Sequence, residues 1–368
     1  MVICSPQLGL SQDSVLGGEV YDHQILLGLS KLGIKVEIIL PKNKPHDQNI
    51  KNWNFTYLPI SHFPAVIGNL LMVPYLFSVY KKRKFEIIRL HQPQFLGLGA
   101  LFFKVFNNKV KIVSTYHQFK ESNFLFLSKQ INKLWDYIIV DSENVKTKLI
   151  KAYKIPSTKI AVIHNGVPTY LKPTSKNSSL MNRLKLKGKI VILYMGLFDK
   201  RKNPLFLLDV LSILQKETHN LTLLFWGKGP LEQKIIKKAK DLGLLGKIKI
   251  IKPIFGKEKN KIHNLCDIFV HPSLDEGFAL APLESMSCAK PIVITKGFSA
   301  GEAVKDGLNG YLAKSNDVQD WCDKIKKLAR SPRLMEKMGK ASLEKVKKEF
   351  RWDLSVEKHA EVFKRISK

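Results

Sequence analysis

Short apolar runs alternate with longer amphipathic stretches from one end of the chain to the other. That alternation predicts a series of βαβ units built on parallel sheets. In the first half the strand candidates are Met1–Cys4, Lys35–Leu40, Glu86–Leu90, Lys111–Ser114, Tyr137–Val140 and Ile160–Ile163. A second series runs Ile190–Met195, Leu221–Trp226, Ile248–Ile251, Ile268–Val270 and Ile292–Ile294. Between the two series, Pro168 to Gly188 is polar and rich in Lys, Ser and Asn, the composition of a linker. The pattern therefore predicts an α/β chain with two doubly wound domains in tandem. Such sheets bind ligands at the carboxyl ends of their strands, and two of them facing each other would offer a cleft. From Arg333 to Lys368 the pattern is helical, with Gly339 as a break and Arg351-Trp352-Asp353 leading into a final amphipathic helix.

Length and composition fit this picture, since 368 residues with 45% apolar and 25% charged side chains can build two ordinary cores. The charge changes it. Lys and Arg number 61 against 31 acidic residues, a formal +30 that both halves share. Such an excess suits phosphates, nucleic acid or an anionic membrane face, and equally a Lys-rich proteome. Four cysteines without paired or metal-ligand spacing indicate a reducing compartment. Met1–Cys4 reads as a strand running into a loop rather than a signal peptide, so a cytoplasmic protein is expected. Phe63 to Tyr80 carries no charge and is followed by Lys81-Lys82-Arg83-Lys84, a length and flank that would fit a membrane span. Pro64, Asn69 and Pro74 interrupt it and favour a buried helix instead, while Leu96 to Phe106 is too short to span.

Candidate chemistry sits at the predicted strand ends. Glu276 and Glu284 lie eight positions apart, with Gly277 between them and Pro282 just before the second, as in a loop entering a helix. Unpaired N–H groups at a helix start suit an anion, and a carboxylate inside the first turns can accept hydrogen bonds from sugar hydroxyls. The same spacing also describes a solvated helix face. Gly17-Gly18-Glu19 opens a predicted helix, Val20 to Leu32, after the first strand, and two glycines there would let backbone approach a phosphate. The turn is not a G-x-G-x-x-G dinucleotide fingerprint. Asp199-Lys200-Arg201-Lys202-Asn203 follows the first strand of the second series, where its cations could neutralise a departing diphosphate. His117 ends another strand and could hydrogen-bond a substrate hydroxyl, although a lone His is more often structural.

Taken together these segments resemble the retaining glycosyltransferases of family 4, nearly end to end. The resemblance is carried by Gly17-Gly18-Glu19, by Ile163-His164-Asn165-Gly166-Val167, and by Tyr194-Met195-Gly196 with Arg201-Lys202-Asn203. It continues through Phe225-Trp226-Gly227-Lys228-Gly229-Pro230. Its most specific block is Asp267 to Ser273 with Glu276 and Glu284, followed by Gly301-Glu302 and Asp306-Gly307-Leu308-Asn309-Gly310.

The resemblance implies the GT-B fold. Residues 1–168 would form a Rossmann-like acceptor-side domain, 169–350 a Rossmann-like nucleotide-sugar domain, and 351–368 a helix crossing back to the first. It implies transfer from a UDP- or GDP-sugar to an acceptor hydroxyl, with retention and no metal. The basic, apolar surface favours a glycan or lipid-linked acceptor, and evenly spread lysines without an aromatic-plus-basic motif speak against a nucleic-acid partner. Glu276, Gly277, Phe278, Ala279 and Leu280 would hold the donor sugar and phosphate, and Glu284 the ribose. Arg201 and Lys202 would stabilise the leaving diphosphate beside Gly17 and Gly18. His117 would touch the transferred sugar and Ile254 the base. Two departures stand out: Leu197 replaces an Arg common after the glycine, and Ala279 replaces a second glycine. A GT-B sugar-nucleotide epimerase and a basic RNA- or anionic-lipid-binding protein are the alternative readings. The net charge, Lys81–Lys84 and the Lys-dotted stretch from Lys120 to Lys133 suggest peripheral contact with an anionic membrane.

Overall fold

The computed structural model describes residues 1–11, 17–59, 65–91, 97–119, 125–218, 220–275, 277–297 and 299–367. The chain divides into two compact units, Met1–Asn165 with Trp352–Lys368, and Gly166–Arg351.

The first unit is a seven-stranded sheet in the order β3-β2-β1-β4-β5-β6-β7. Its strands are β1 (Val2–Pro6), β2 (Lys35–Pro41), β3 (Trp53–Leu58), β4 (Ile87–His91), β5 (Lys111–Tyr116), β6 (Tyr137–Val140) and β7 (Ile160–Val162). Every pairing is parallel. Helices α1 (Gly17–Lys31), α2 (Ala65–Lys82), α3 (Gly97–Phe106), α4 (Leu125–Lys133) and α5 (Glu143–Tyr153) make the crossovers. The second unit holds a six-stranded parallel sheet in the order β10-β9-β8-β11-β12-β13. Here the strands are β8 (Ile190–Met195), β9 (Leu221–Trp226), β10 (Ile248–Ile251), β11 (Ile268–His271), β12 (Ile292–Thr295) and β13 (Gly310–Ala313). Its helices are α6 (Ser178–Arg183), α7 (Phe206–Glu217), α8 (Glu232–Asp241), α9 (Lys259–Leu265), α10 (Leu280–Ser287), α11 (Val318–Ala329) and α12 (Pro332–Glu349). The last helix, α13 (Trp352–Ile366), returns to the first unit.

Each sheet is covered on both faces, which is why its central strands read as unbroken apolar runs. In the second unit one face packs Ile192, Leu223, Phe225 and Val270 under α7 and α11, and the other packs Leu193, Leu224, Phe269 and Ile294 under α9 and α10. Helix α13 closes one face of the first sheet, laying Val356, Ala360 and Phe363 beside Ile25 and Leu29 of α1. Gly28 permits that crossing, since a Cβ there would stand 2.2 Å from Val356 Cγ2.

Two expectations change. Gly339 does not break a helix, because α12 runs straight through it. The glycine is there for contact, as a Cβ would lie 2.1 Å from the Ala289 carbonyl oxygen. Helix α2 is not buried all round. Met72, Leu76 and Val79 face the core while Leu71 and Pro74 are exposed. Among the described residues no helix is long and apolar enough to cross a membrane.

In both sheets the order reverses at the first strand, between β1 and β4 and between β8 and β11. These are topological switch points, where the crossovers on either side diverge and leave a crevice at the carboxyl ends of the strands.

Candidate functional site

In the second unit the loops after β8 and β11 meet at the switch point. The Leu274 N–H donates to the Arg201 carbonyl oxygen (2.8 Å), the Ser273 hydroxyl donates to the same oxygen (3.2 Å), and Arg201 Nη1 donates to the Asp275 carbonyl oxygen (3.2 Å). The basic loop is thereby stitched to the segment leading into α10. Its own turn is fixed by the Lys202 N–H on Asp199 Oδ1 (2.8 Å) and by Asn203 in the left-handed region (φ 55°). Glycine is required where the neighbouring loop crosses this one, because a Cβ on Gly227 would sit 2.0 Å from the Gly196 carbonyl oxygen.

Gly277, Phe278 and Ala279 lead into α10, which begins at Leu280 without a side-chain cap. Its N-cap residue, Ala279, has no side-chain oxygen to accept from the first N–H groups. Phe278 is buried against Phe350 at a ring separation of 5.5 Å, anchoring this approach. Glu276 lies outside the described residues.

Glu284 is buried one turn into α10 and is held by Lys259 and His263 of α9. Lys259 Nζ lies 2.6 Å from its Oε2 and His263 Nε2 3.4 Å, while His263 Nδ1 is 2.8 Å from the Ser285 hydroxyl. Burial alone would raise this carboxyl, but Lys259 and His263 outweigh it and hold the pKa at about 2. Lys259 also stands 5.5 Å from the Trp226 ring centre, and Trp226 packs edge-on to Phe255, next to Ile254. Lys259 and His263 carried no signal in sequence: one more Lys in a Lys-rich chain, and a His inside a short helix.

In the first unit the switch point gathers a polar cluster. Gly18, at the start of α1, lies so close to His91 that a Cβ would meet its Nε2 at 2.9 Å. His91 Nδ1 is 2.8 Å from Asp22 Oδ2, and Asp22 Oδ1 is 2.5 Å from the fully buried Arg89 Nη2. Burial would lift the Asp22 carboxyl, yet Arg89 and His91 drive it well below the usual range. His117 places Nδ1 3.0 Å from Asp141 Oδ2, with its ring 4.2 Å from Tyr21 and 4.8 Å from His91. Its Nε2 has no hydrogen-bond partner among the described residues. The Tyr21 hydroxyl lies 2.8 Å from His359 Nε2 on α13, so the terminal helix reaches this cluster. Gly18 thus lies beside His91, whose ring is near that of His117, in one unit, while in the other Arg201 is tied to Ser273–Asp275 and Glu284 to Lys259 and His263. Asp22, Arg89, His91 and Asp141 escaped the sequence reading. Asp141, at the carboxyl end of β6, was the one with a positional signal.

These buried groups set the acid response. In the folded protein burial holds His91 and His263 below their ordinary value and His359 down to about 3. They stay neutral while the unfolded chain takes up protons near pH 6.5, so stability declines as pH falls below that point. Glu284 is fully stabilising above about pH 4.5 and loses its contribution, roughly 3 kcal/mol, as pH falls toward 2. Urea midpoints followed by circular dichroism are expected to fall from pH 7 to pH 3, steepening below 4.5. A midpoint that stays flat down to pH 4 would contradict both assignments.

Comparison with known proteins places these features in a wider set. Residues 15–170 match the family model "Glycosyltransferase Family 4" and residues 177–345 match "Glycosyl transferases group 1". An uncharacterized glycosyltransferase of Methanocaldococcus jannaschii is 26% identical over 354 residues, spanning 89% of this chain and 88% of that protein. A glycosyltransferase from Rickettsia africae superposes with a TM-score of 0.82 at 20% identity, covering 100% of this chain and 98% of its own. HepE of Anabaena, solved in complex with UDP-glucose, superposes at 0.79 with 20% identity, covering 99% of this chain and 100% of its own.

Proposed function

Because the chain belongs to the group 1, family 4 glycosyltransferases of GT-B fold and so moves a sugar from a nucleotide-sugar donor, we propose that the second unit holds a UDP- or GDP-sugar and the first meets the acceptor. The acceptor is a hydroxyl of a lipid-linked or membrane-associated glycan, and the enzyme works peripherally at the cytoplasmic membrane face. The transfer retains configuration and needs no metal. The observation carrying this reading is the bonding of the Arg201 loop to Ser273–Asp275, which brings Arg201 and Lys202 to the approach of α10.

The chemistry follows from charge. As the bond from the anomeric carbon to the diphosphate breaks, negative charge grows on the leaving oxygen. Arg201, Lys202 and the N-terminus of α10 meet it, and the acceptor hydroxyl attacks from the face the diphosphate leaves. Glu276 with the backbone at Gly277, Phe278, Ala279 and Leu280 holds the sugar and phosphate, Glu284 takes the ribose hydroxyls, and Ile254 lies along the base. Gly17 and Gly18 let the backbone approach the phosphate, and His117 offers Nε2 to the transferred sugar. HepE, which shares the fold, was solved with UDP-glucose, and that supports the uridine nucleotide.

Incubation with a panel of nucleotide sugars, with membrane extract as acceptor, tests the reading by nucleotide release. No release with any donor would overturn it. Lys202→Ala and Glu276→Gln are each expected to lower turnover at least about tenfold, the scale of one lost charge-assisted contact. Wild-type rates in both would remove these residues from the site.

A further inference from the structure

The geometry points to the outer face of α3, flanked by the basic end of α2, as the surface by which the protein docks on an anionic phospholipid bilayer. This deepens the membrane part of the function proposed above and rests on it. Helix α3 turns Gly97, Gly99, Ala100 and Phe103 into the core. Its other face presents Leu98, Phe102, Val105 and Phe106, exposed by 49, 52, 77 and 65%. The spacing i, i+4, i+7, i+8 makes them one continuous stripe along the helix. Four large apolar side chains exposed together on one short helix form the kind of patch that marks an interaction surface.

The surroundings decide what covers it. Phe106 lies 5.9 Å ring to ring from Phe77 of α2, and Tyr80 lies 5.4 Å from Phe103, so the two helices end side by side. Just beyond that end Lys81, Lys82, Arg83 and Lys84 are exposed, as is Lys109 just after α3. From Gln48 to Lys120 the chain has a single acidic residue, Glu86, while Glu37 pairs with Arg83 and Asp136 with Lys104 of α3, so the cations in excess at this end are Lys81, Lys82, Lys84 and Lys109. An apolar stripe edged by an excess of lysines matches an anionic lipid surface. The aliphatic and aromatic side chains enter the acyl boundary while the ammonium groups meet phosphates. A second copy of the chain fits less well, because pairing this face with itself would bring two sets of these cations together. Among the described residues no helix is long and apolar enough to cross a membrane, and the proposed contact is interfacial.

The test is co-sedimentation of the full chain with vesicles of phosphatidylcholine alone or with about one third phosphatidylglycerol, a range where each basic residue adds measurably to binding. Binding is expected only to the anionic vesicles and is expected to weaken with salt. The double variant Phe102→Asp/Phe106→Asp is expected to lose at least about tenfold in partitioning, since each aromatic buries a large apolar area. Lys81→Gln/Lys82→Gln/Lys84→Gln is expected to flatten the salt dependence while leaving the fold intact. Both variants should keep the wild-type circular dichroism and donor hydrolysis without vesicles, which separates lost docking from lost folding. Equal vesicle binding by wild type and the Phe double variant would overturn the assignment. So would a concentration-dependent dimer that the same variant abolishes, without vesicle binding. Intact vesicle binding with no transfer to any lipid-linked acceptor would leave the surface standing and overturn the acceptor reading instead.

Discussion

Arg89→Met is expected to destabilise the protein by about 3–5 kcal/mol, the cost of stranding a buried charge by removing its partner. Arg89 is fully buried in β4 and its guanidinium stands 2.5 Å from Asp22, itself almost wholly buried in α1. The variant keeps the volume and the apolar stem but leaves His91, at 2.8 Å, as the ion-pair partner of the Asp22 carboxylate among the described residues. His91 can answer by taking up a proton. Its folded pKa would then rise above the unfolded value, and its help would be full below about pH 6.5 and be lost as pH rises from there through the raised folded value. The loss should therefore be larger at pH 8 than at pH 6, a dependence that simple loss of packing would not produce. For a unit of this size the thermal midpoint should drop by roughly 10 °C at the higher pH. Adding Asp22→Asn should recover much of it, because the neutral pair no longer buries an unpaired charge. Scanning calorimetry of the single and double variants at the two pH values checks all three statements. A shift under about 2 °C in the single variant would mean that the pair contributes little net free energy.

That pair also shows where sequence reasoning stops. Strands such as Tyr137–Val140, Ile190–Met195 and Leu221–Trp226 are legible because a strand covered on both faces must be apolar throughout. The two strands that escaped, β3 and β13, are both edge strands. In β3, Asn54 and Thr56 interrupt the apolar run and are only partly buried. In β13 there are four residues, opening on a glycine that sits 2.2 Å, at an added Cβ, from the Ile292 carbonyl oxygen. An edge strand has one neighbour and thinner cover, so its composition is less constrained. The polar stretch read as a linker contains α6, whose side chains are not buried but whose N-cap, Asn177, accepts from the Leu180 N–H at 2.9 Å. One Asn in a stretch rich in Asn and Ser does not stand out as a cap, and a helix this short gives no periodicity to support it.

The candidate residues of each unit divide along the same line. Loops at strand ends carry their glycines and charges in short contiguous segments, so Gly17-Gly18, Arg201-Lys202 and Gly277 to Leu280 stand out. The groups that tune those loops come from other elements. Arg89 meets Asp22 across 67 positions and lies in the middle of a strand where an apolar residue is the rule. Lys259 meets Glu284 from a helix 25 positions upstream. Nothing local distinguishes Lys259 from the other lysines until the fold brings it to a buried carboxylate.

Glu284→Ala is expected to weaken donor binding by about a hundredfold, the scale of two lost hydrogen bonds to a charged acceptor. In the proposed role Glu284 accepts from both ribose hydroxyls, contacts made equally in the ground and transition states, so the loss should fall on KM for the donor more than on kcat. The carboxylate is already held by Lys259 at 2.6 Å and by His263 at 3.4 Å. These partners keep it ionised and aimed, and bound ribose must share it with the Lys259 ammonium or displace it. Lys259→Met therefore separates the two cases. If Lys259 positions the carboxylate, donor KM rises by about three- to tenfold, as expected when one charge-assisted contact in a network is lost. The Glu284 titration, followed by carboxyl NMR, then moves up toward the ordinary carboxylate range. If the ammonium instead competes with ribose, donor KM falls while the titration still moves up. Steady-state kinetics with a soluble acceptor and calorimetry with the nucleoside diphosphate read the two quantities independently. Unchanged donor affinity in Glu284→Ala would exclude the ribose role, and Lys259 would then be no more than the counter-ion that lets a glutamate be buried in α10.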